Sequence, residues 1–240
     1  MIFRKPRTQA IKALNSLYVI NTIAQNSLKE AKDNLKSKKI AKLHYEIPVV
    51  TGETIAVARR KSKIIRLLDE AINRDLYSQA LIAAVALTED YLSKSLATIL
   101  SWYPQKLPNS DNKKVDFSLI LNTKNRDELI QRIIAKYINS IFYSSPAKYF
   151  ETIQKILAIT FPDKIKEQFS EIKATRDLLV HNSGIINSLY LTKCSKLARG
   201  TEGETILLNN NYFDNSLRCM KKIITSTYSQ LLEKYGDNTP

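Results

Sequence analysis

Cysteine is nearly absent. Cys194 and Cys219 are the two in 240 residues, too few for the disulfide framework of a small secreted domain, and they fall in no metal-ligand spacing with the two histidines, His44 and His181. A reducing cytosol is the expected compartment, and neither a metal nor another cofactor is expected. No stretch approaches the roughly 18 consecutive apolar residues that a membrane-spanning helix needs, so no membrane association is expected. Residues Met1 to Arg7 carry the charge of a signal peptide, but Asn15, Ser16 and Asn21 interrupt the apolar stretch behind them, so secretion is not expected. Five glycines and seven prolines leave little turn punctuation, which favours helices over strands. Internal repeats, a Gly-rich phosphate loop, paired catalytic carboxylates, a Ser/His/Asp order and a zinc signature are all missing.

Positive charge is what the chain has in excess. The formal net charge is +14, and a Lys/Arg-rich surface draws phosphate backbones by releasing their counterions. The excess is uneven: residues 1–64 carry 14 Lys+Arg against 4 Asp+Glu, and residues 65–240 carry 23 against 19. The run Arg59-Arg60-Lys61 with Lys63 is a candidate track for an RNA backbone or simply a solvated helix face.

Apolar residues recur at three- and four-residue intervals, the period of a helix. From about 8 to 42 the seam Leu14, Leu17, Ala24, Leu28, Ala31, Leu35, with Asn21 filling one seam position, predicts a long helix docked on its own domain. Tyr45 to Thr51 is extended and closes at Gly52, a linker or an edge strand. Helices follow at about 54–73, 75–102, 125–143, 146–159, 162–183 and 211–235. A loop at 104–124 is expected to include a short strand at Val115 to Leu121, and a second loop, Cys194 to Asn211, reads as a hairpin tip. The chain divides into a basic N-terminal helix and linker, 1–52, and a helical domain, 53–240. The aromatic cluster Tyr137, Phe142, Tyr143, Tyr149 and Phe150, interleaved with Lys136 and Lys148, is expected to pack in the core rather than stack on bases.

Two helices place a charge on a stripe that should be apolar. Ile82, Val85, Leu92, Leu96 and Ile99 form one stripe, and Glu89 completes its spacing. Ile165, Phe169, Ile172 and Leu179 form the other, and Arg176 completes it. Charges on buried stripes are costly unless paired, so the two either pair with each other inside the domain or open onto a cleft or subunit interface.

Arg176 begins the segment Arg176-Asp177-Leu178-Leu179-Val180-His181-Asn182. It resembles the Arg-x(4–6)-His signature of the HEPN superfamily, and the apolar helix before it and Ser183-Gly184 after it fit the same pattern over roughly residues 60–235. The resemblance implies an all-α antiparallel bundle of HEPN type with the N-terminal helix as an extension. It also implies a homodimer, a metal-independent endoribonuclease activity on RNA of the sort found in bacterial toxin and antiviral defence systems, and a possible antitoxin or regulatory partner. The alternative it leaves open is a non-catalytic dimer that acts as an RNA-binding or adaptor module.

The chemistry suits the residues. RNA brings its own nucleophile, the 2′-hydroxyl, so cleavage needs a proton acceptor, a proton donor and positive charge on the transition state. Histidine, with an ordinary pKa of about 6.5, transfers protons near neutral pH, and the arginine fork matches phosphate oxygens. Gly184 is placed to end the helix just beyond His181, where the helix dipole favours an imidazolium; a histidine that merely caps terminal carbonyls is the bland reading. Five residues on an unbroken helix turn the two side chains roughly 140° apart. Either the helix frays at His181 or a second chain completes the site. Asn182 is the candidate to orient the imidazole or hold a phosphate, and Glu89 to position Arg176.

Overall fold

The computed structural model describes residues 2–108, 117–144 and 146–236. They are mostly helical. The long N-terminal helix α1 spans Arg4–Ser37, about 50 Å at 1.5 Å per residue. Its buried line is Ala10, Leu14, Asn21, Gln25 and Leu35, so the expected seam docks in part: Leu17, Ala24 and Leu28 are partly buried, Gln25 is buried beside Ala24, and Ala31 is exposed. The polar pair in that line is partly satisfied: the Tyr77 hydroxyl donates to Gln25 Oε1 at 3.1 Å. Phe3, Ala10 and Leu14 join the main core, so α1 shares the apolar interior of the helices that follow.

A β-hairpin comes next, where a helix from about 54 was expected. Strand β1, Lys42–Pro48, pairs antiparallel with β2, Thr54–Arg60. The extended stretch around Ile47 is therefore one strand of a pair, and Ile55, Val57 and Arg59 alternate at period two rather than beginning a helix. Gly52, at φ +85°, supplies the turn.

Helix α2, Lys61–Glu70, runs through a π-helical turn, Ala71–Asp75, into α3, Leu76–Trp102. No glycine or proline interrupts residues 61–102, so two expected helices form one rod whose break is a single wide turn. Helix α3 is the centre of the molecule, with Leu81, Ala84, Val85, Leu92, Leu96, Ile99 and Leu100 fully buried. It packs against α1 and against the later helices α5, Arg126–Phe142, α6, Pro146–Leu157, α7, Asp163–His181, and α9, Asn210–Tyr235.

Where a strand was expected at Val115 to Leu121, the residues Phe117–Leu121 form a short helix, α4; Val115 and Asp116 lie outside the described residues. Another helix, α8, Ser188–Cys194, was not foreseen. Asparagine caps start three helices: Asn125, Asn187 and Asn209 each accept, through Oδ1, the backbone N–H three residues on, which satisfies one of the open donors of a helix start. The loop 195–209 is not a free hairpin tip. It folds back on the end of α7 through a bridge between Ile185 and Thr205, and it covers a second, smaller apolar cluster of Ala174, Leu178, Ile186, Tyr190, Cys194 and Ile206.

Candidate functional site

Helix α7 stays helical to His181 and then stops abruptly. The backbone N–H groups of Asn182 and Gly184 both donate to the Leu178 carbonyl at 2.9 Å. Ser183 and Gly184 take φ values of +52° and +76°, a left-handed pair that glycine adopts freely and serine does not. The chain then reverses, and α8 comes back alongside α7. This reversal makes one wall of a cleft of about 600 Å³. The other walls come from α3, through Glu89, Asp90 and Ser93, and from the end of α5, through Phe142 and Tyr143.

Arg176 and His181 both line this cleft, as do Asn182 and Glu89. The 140° separation expected for an ideal helix is thus spanned by the width of the cleft, with Arg176 near its floor and His181 at its mouth. His181 is exposed and Arg176 half-buried. Fraying does not occur. Asn182 turns its amide toward its own chain, Nδ2 donating to the Ile185 carbonyl at 2.6 Å, so its side chain pins the reversal that follows His181.

The charges on the two stripes do meet. Arg176 Nη2 donates to Glu89 Oε2 at 3.0 Å, and Nη1 approaches Asp177 Oδ1 at 3.2 Å. Sequence reasoning missed a third member. Lys173, one turn before Arg176, donates to the other oxygen of Glu89 and lies 5.7 Å over the ring of Tyr149. Its spacing from Arg176 on α7 was the available signal. Lys193 of α8 adds a further cation, 3.7 Å from Asp177. The cleft therefore holds Lys173, Arg176 and Lys193 against Glu89, Asp90 and Asp177, an even balance before His181 is counted. The guanidinium carries five N–H donors, and its two carboxylate contacts leave donors over for a ligand.

The expected aromatic cluster divides. Tyr149 and Phe150 are buried, with Phe142 against Tyr149 edge-on. Tyr143 is 93% exposed and stands at the cleft rim.

A second unforeseen group lies behind the cleft. Glu171, on the face of α7 turned away from Arg176's stripe, is 5% exposed and accepts four hydrogen bonds: from Thr175, Tyr190 and Tyr212 hydroxyls at 2.7, 2.9 and 2.9 Å and from Arg199 Nε at 2.9 Å. Arg199 also stacks on Tyr212 at 3.6 Å and donates to Thr175 and to the Leu207 carbonyl. The carboxylate is fully satisfied, which is the condition for a buried charge to be tolerated. It ties α7, α8, α9 and the 195–209 loop together, and so holds the wall that carries His181.

Among the described residues no three His, Cys, Asp or Glu side chains gather as a metal ion would require, and no helix is long and apolar enough to cross a membrane. Comparison of the chain with protein-family models, with curated proteins and with solved structures finds no match.

Proposed function

We propose that this chain is a metal-independent endoribonuclease with a bundle of HEPN type, and that Arg176 and His181 act on the RNA phosphodiester. One observation carries the reading: the two residues, five apart on α7, share a single open cleft with Asn182, Glu89 and Lys193. His181 takes the proton from the 2′-hydroxyl, the 2′-oxygen attacks phosphorus, and the bond to the 5′-oxygen breaks with a proton delivered to that oxygen. The products are a 2′,3′-cyclic phosphate and a free 5′-hydroxyl. Arg176, held by Glu89 and Asp177, offers its remaining N–H donors to the phosphorane oxygens as their charge grows. Asn182 keeps the helix end, and with it the imidazole, in place.

One imidazole cannot be base and acid in the same step. A homodimer supplies the second, with His181 of the partner subunit protonating the leaving oxygen. Exposed apolar residues that line the cleft, Tyr143 and Leu189, and two close to His181 in sequence, Val180 and Ile185, are the surface on which a second copy would sit.

The test is cleavage of a labelled RNA in EDTA. His181→Ala is expected to lower the rate by about 10²–10⁴-fold and Arg176→Ala by about 10²–10³-fold, with cyclic-phosphate ends in the wild-type products. Cutting that persists undiminished in His181→Ala overturns the mechanism.

The even charge balance of the cleft favours a second reading, a non-catalytic dimer in which Arg176 serves Glu89 and RNA is bound elsewhere. Salt-sensitive RNA binding without products is its signature. A role as a toxin or antiviral effector, restrained by an antitoxin or other regulatory partner in the cytoplasm, belongs to the first reading.

A further inference from the structure

We propose that the β1–β2 hairpin and the chain on either side of its base form a separate binding surface for the backbone of single-stranded RNA. The choice of RNA as the polyanion rests on the ribonuclease reading above; the existence of the surface does not.

The hairpin contributes nothing to either apolar cluster, and no residue of β1 or β2 is buried. It is an appendage, packed mainly on α2 through β2, and the core does not need it. Yet it gathers charge. Residues 36–66 hold nine Lys+Arg against two Glu, a net +7 and half of the chain's +14. The positive residues crowd the base of the hairpin: Lys38, Lys39 and Lys42 lead into β1, and Arg59, Arg60 and Lys63 lead out of β2.

The fold does not neutralise these charges. Lys42 stands directly opposite Arg60 in the ladder, and like charges at opposed positions weaken a strand pair. Among the described residues no carboxylate forms an ion pair with any of these six. Lys61 is the exception in purpose: its ammonium donates to the carbonyls of Lys36 and Lys38, both at 2.8 Å, and so fastens the hairpin to the end of α1. A shallow depression of about 490 Å³ lies there, lined in part by Lys42, Arg60 and Ser62. Repulsion retained at an appendage with no structural return is relieved by an anion that spans the base.

A single-stranded nucleic acid, which the ribonuclease reading makes RNA, fits better than a lipid surface on two counts. Tyr45, 40% exposed, shares a face with Arg59, while Lys42 and Arg60 lie on the opposite face, so a strand crossing the base of this narrow ribbon meets a ring for base stacking beside one cation and two more cations on the far side, the combination that single strands use. The hairpin tip argues against a lipid surface: Val50 is fully exposed, but Glu53 pairs with Val49 at the turn and Glu46 lies on the tip side of Tyr45, so an anionic membrane would meet carboxylates first.

The experiment measures binding of a fluorescein-labelled 20-nucleotide 2′-O-methyl RNA by anisotropy, using the full chain. That probe lacks the 2′-hydroxyl nucleophile, so binding is read whether or not the protein cuts RNA, and loss of the cleavage reading leaves this result standing. The variant is Lys42→Gln/Arg59→Gln/Arg60→Gln. The control, Lys12→Gln/Lys164→Gln/Lys234→Gln, removes the same charge at exposed sites on α1, α7 and α9. The hairpin variant is expected to bind on the order of ten- to a hundredfold more weakly and to flatten the slope of log K against log salt by about 2, the loss of three single-strand phosphate contacts. The control is expected to keep most of both. Circular dichroism is expected to show the same helix content in all three proteins. Wild-type protein that does not bind the probe, a control that loses as much as the hairpin variant, or phosphatidylserine vesicles that compete as well as unlabelled RNA would each overturn the proposal.

Discussion

Glu89 on α3 and Arg176 on α7 join across the contact between the two helices, Oε2 accepting from Nη2 at 3.0 Å, while Lys173 donates to the same carboxylate. One half-buried anion thus holds two cations at the floor of the cleft. Removing it leaves Lys173 and Arg176 facing each other with a carboxylate fewer. Glu89→Gln keeps the shape and loses the charge. It is expected to cost about 1–3 kcal/mol in urea denaturation and to lower the RNA cleavage rate by more than Lys173→Gln does. Equal rate losses in the two variants would mean that Glu89 supports the fold alone and does not position Arg176.

Much of this floor was readable from spacing. Glu89 and Arg176 each stood where an apolar residue should complete a helical stripe, and each turned out to have the other as its partner. The α1 seam and its polar interruption at Asn21 were readable for the same reason, because long amphipathic helices declare their buried face locally. The hairpin was half readable: Gly52 marked the turn, but the alternation of Ile55 and Val57 runs straight into the helical pattern from Ile64, and the longer period dominated. Helix α8 is only seven residues, too short for its periodicity to stand out. Glu171 left no signal, since its partners Tyr190, Arg199 and Tyr212 come from three separate segments that only the tertiary fold brings together.

The Glu171 network makes a sharper stability prediction than the cleft does. Its carboxylate is nearly inaccessible and accepts from four donors. Glu171→Ala takes the carboxylate from Arg199 Nε and from the Tyr190 and Tyr212 hydroxyls and leaves the guanidinium without its counter-charge, and is expected to cost about 3–5 kcal/mol. Limited proteolysis is expected to nick the 195–209 loop in this variant before the rest of the chain. A loop as resistant as in wild type would show that the network is not what holds it.

Both thiols are expected to be inert in the folded protein. Burial pushes Cys194 from the ordinary 9.0 up to about 12, with the Glu171 charge adding to the effect, and burial does the same for Cys219. Thiolate is the reactive form, so a disulfide reagent at pH 8 is expected to label neither cysteine natively and both in denaturant. The same shifts set an alkaline limit. The folded state keeps its thiols protonated while the unfolded chain ionises, so stability is full below about pH 9 and falls as pH rises toward 12. Rapid native labelling would contradict the burial.

Leu189 is 58% exposed and lines the cleft that His181 also lines, and Val180 and Ile185, 47% and 43% exposed, flank the histidine in sequence. Such a patch beside a lone imidazole is the place where a second copy would contribute its own. Leu189→Arg puts a cation on each side of a two-fold contact, where the two repel. Because the side chain is solvent-exposed in the single chain, the melting temperature of the monomer should change little. Sedimentation equilibrium is expected to find the wild type dimeric and the variant monomeric, with RNA cleavage lost together with the dimer. A variant that sediments as a monomer and still cuts at the wild-type rate would return both proton transfers to a single chain, and a wild type that cuts RNA while itself monomeric would do the same.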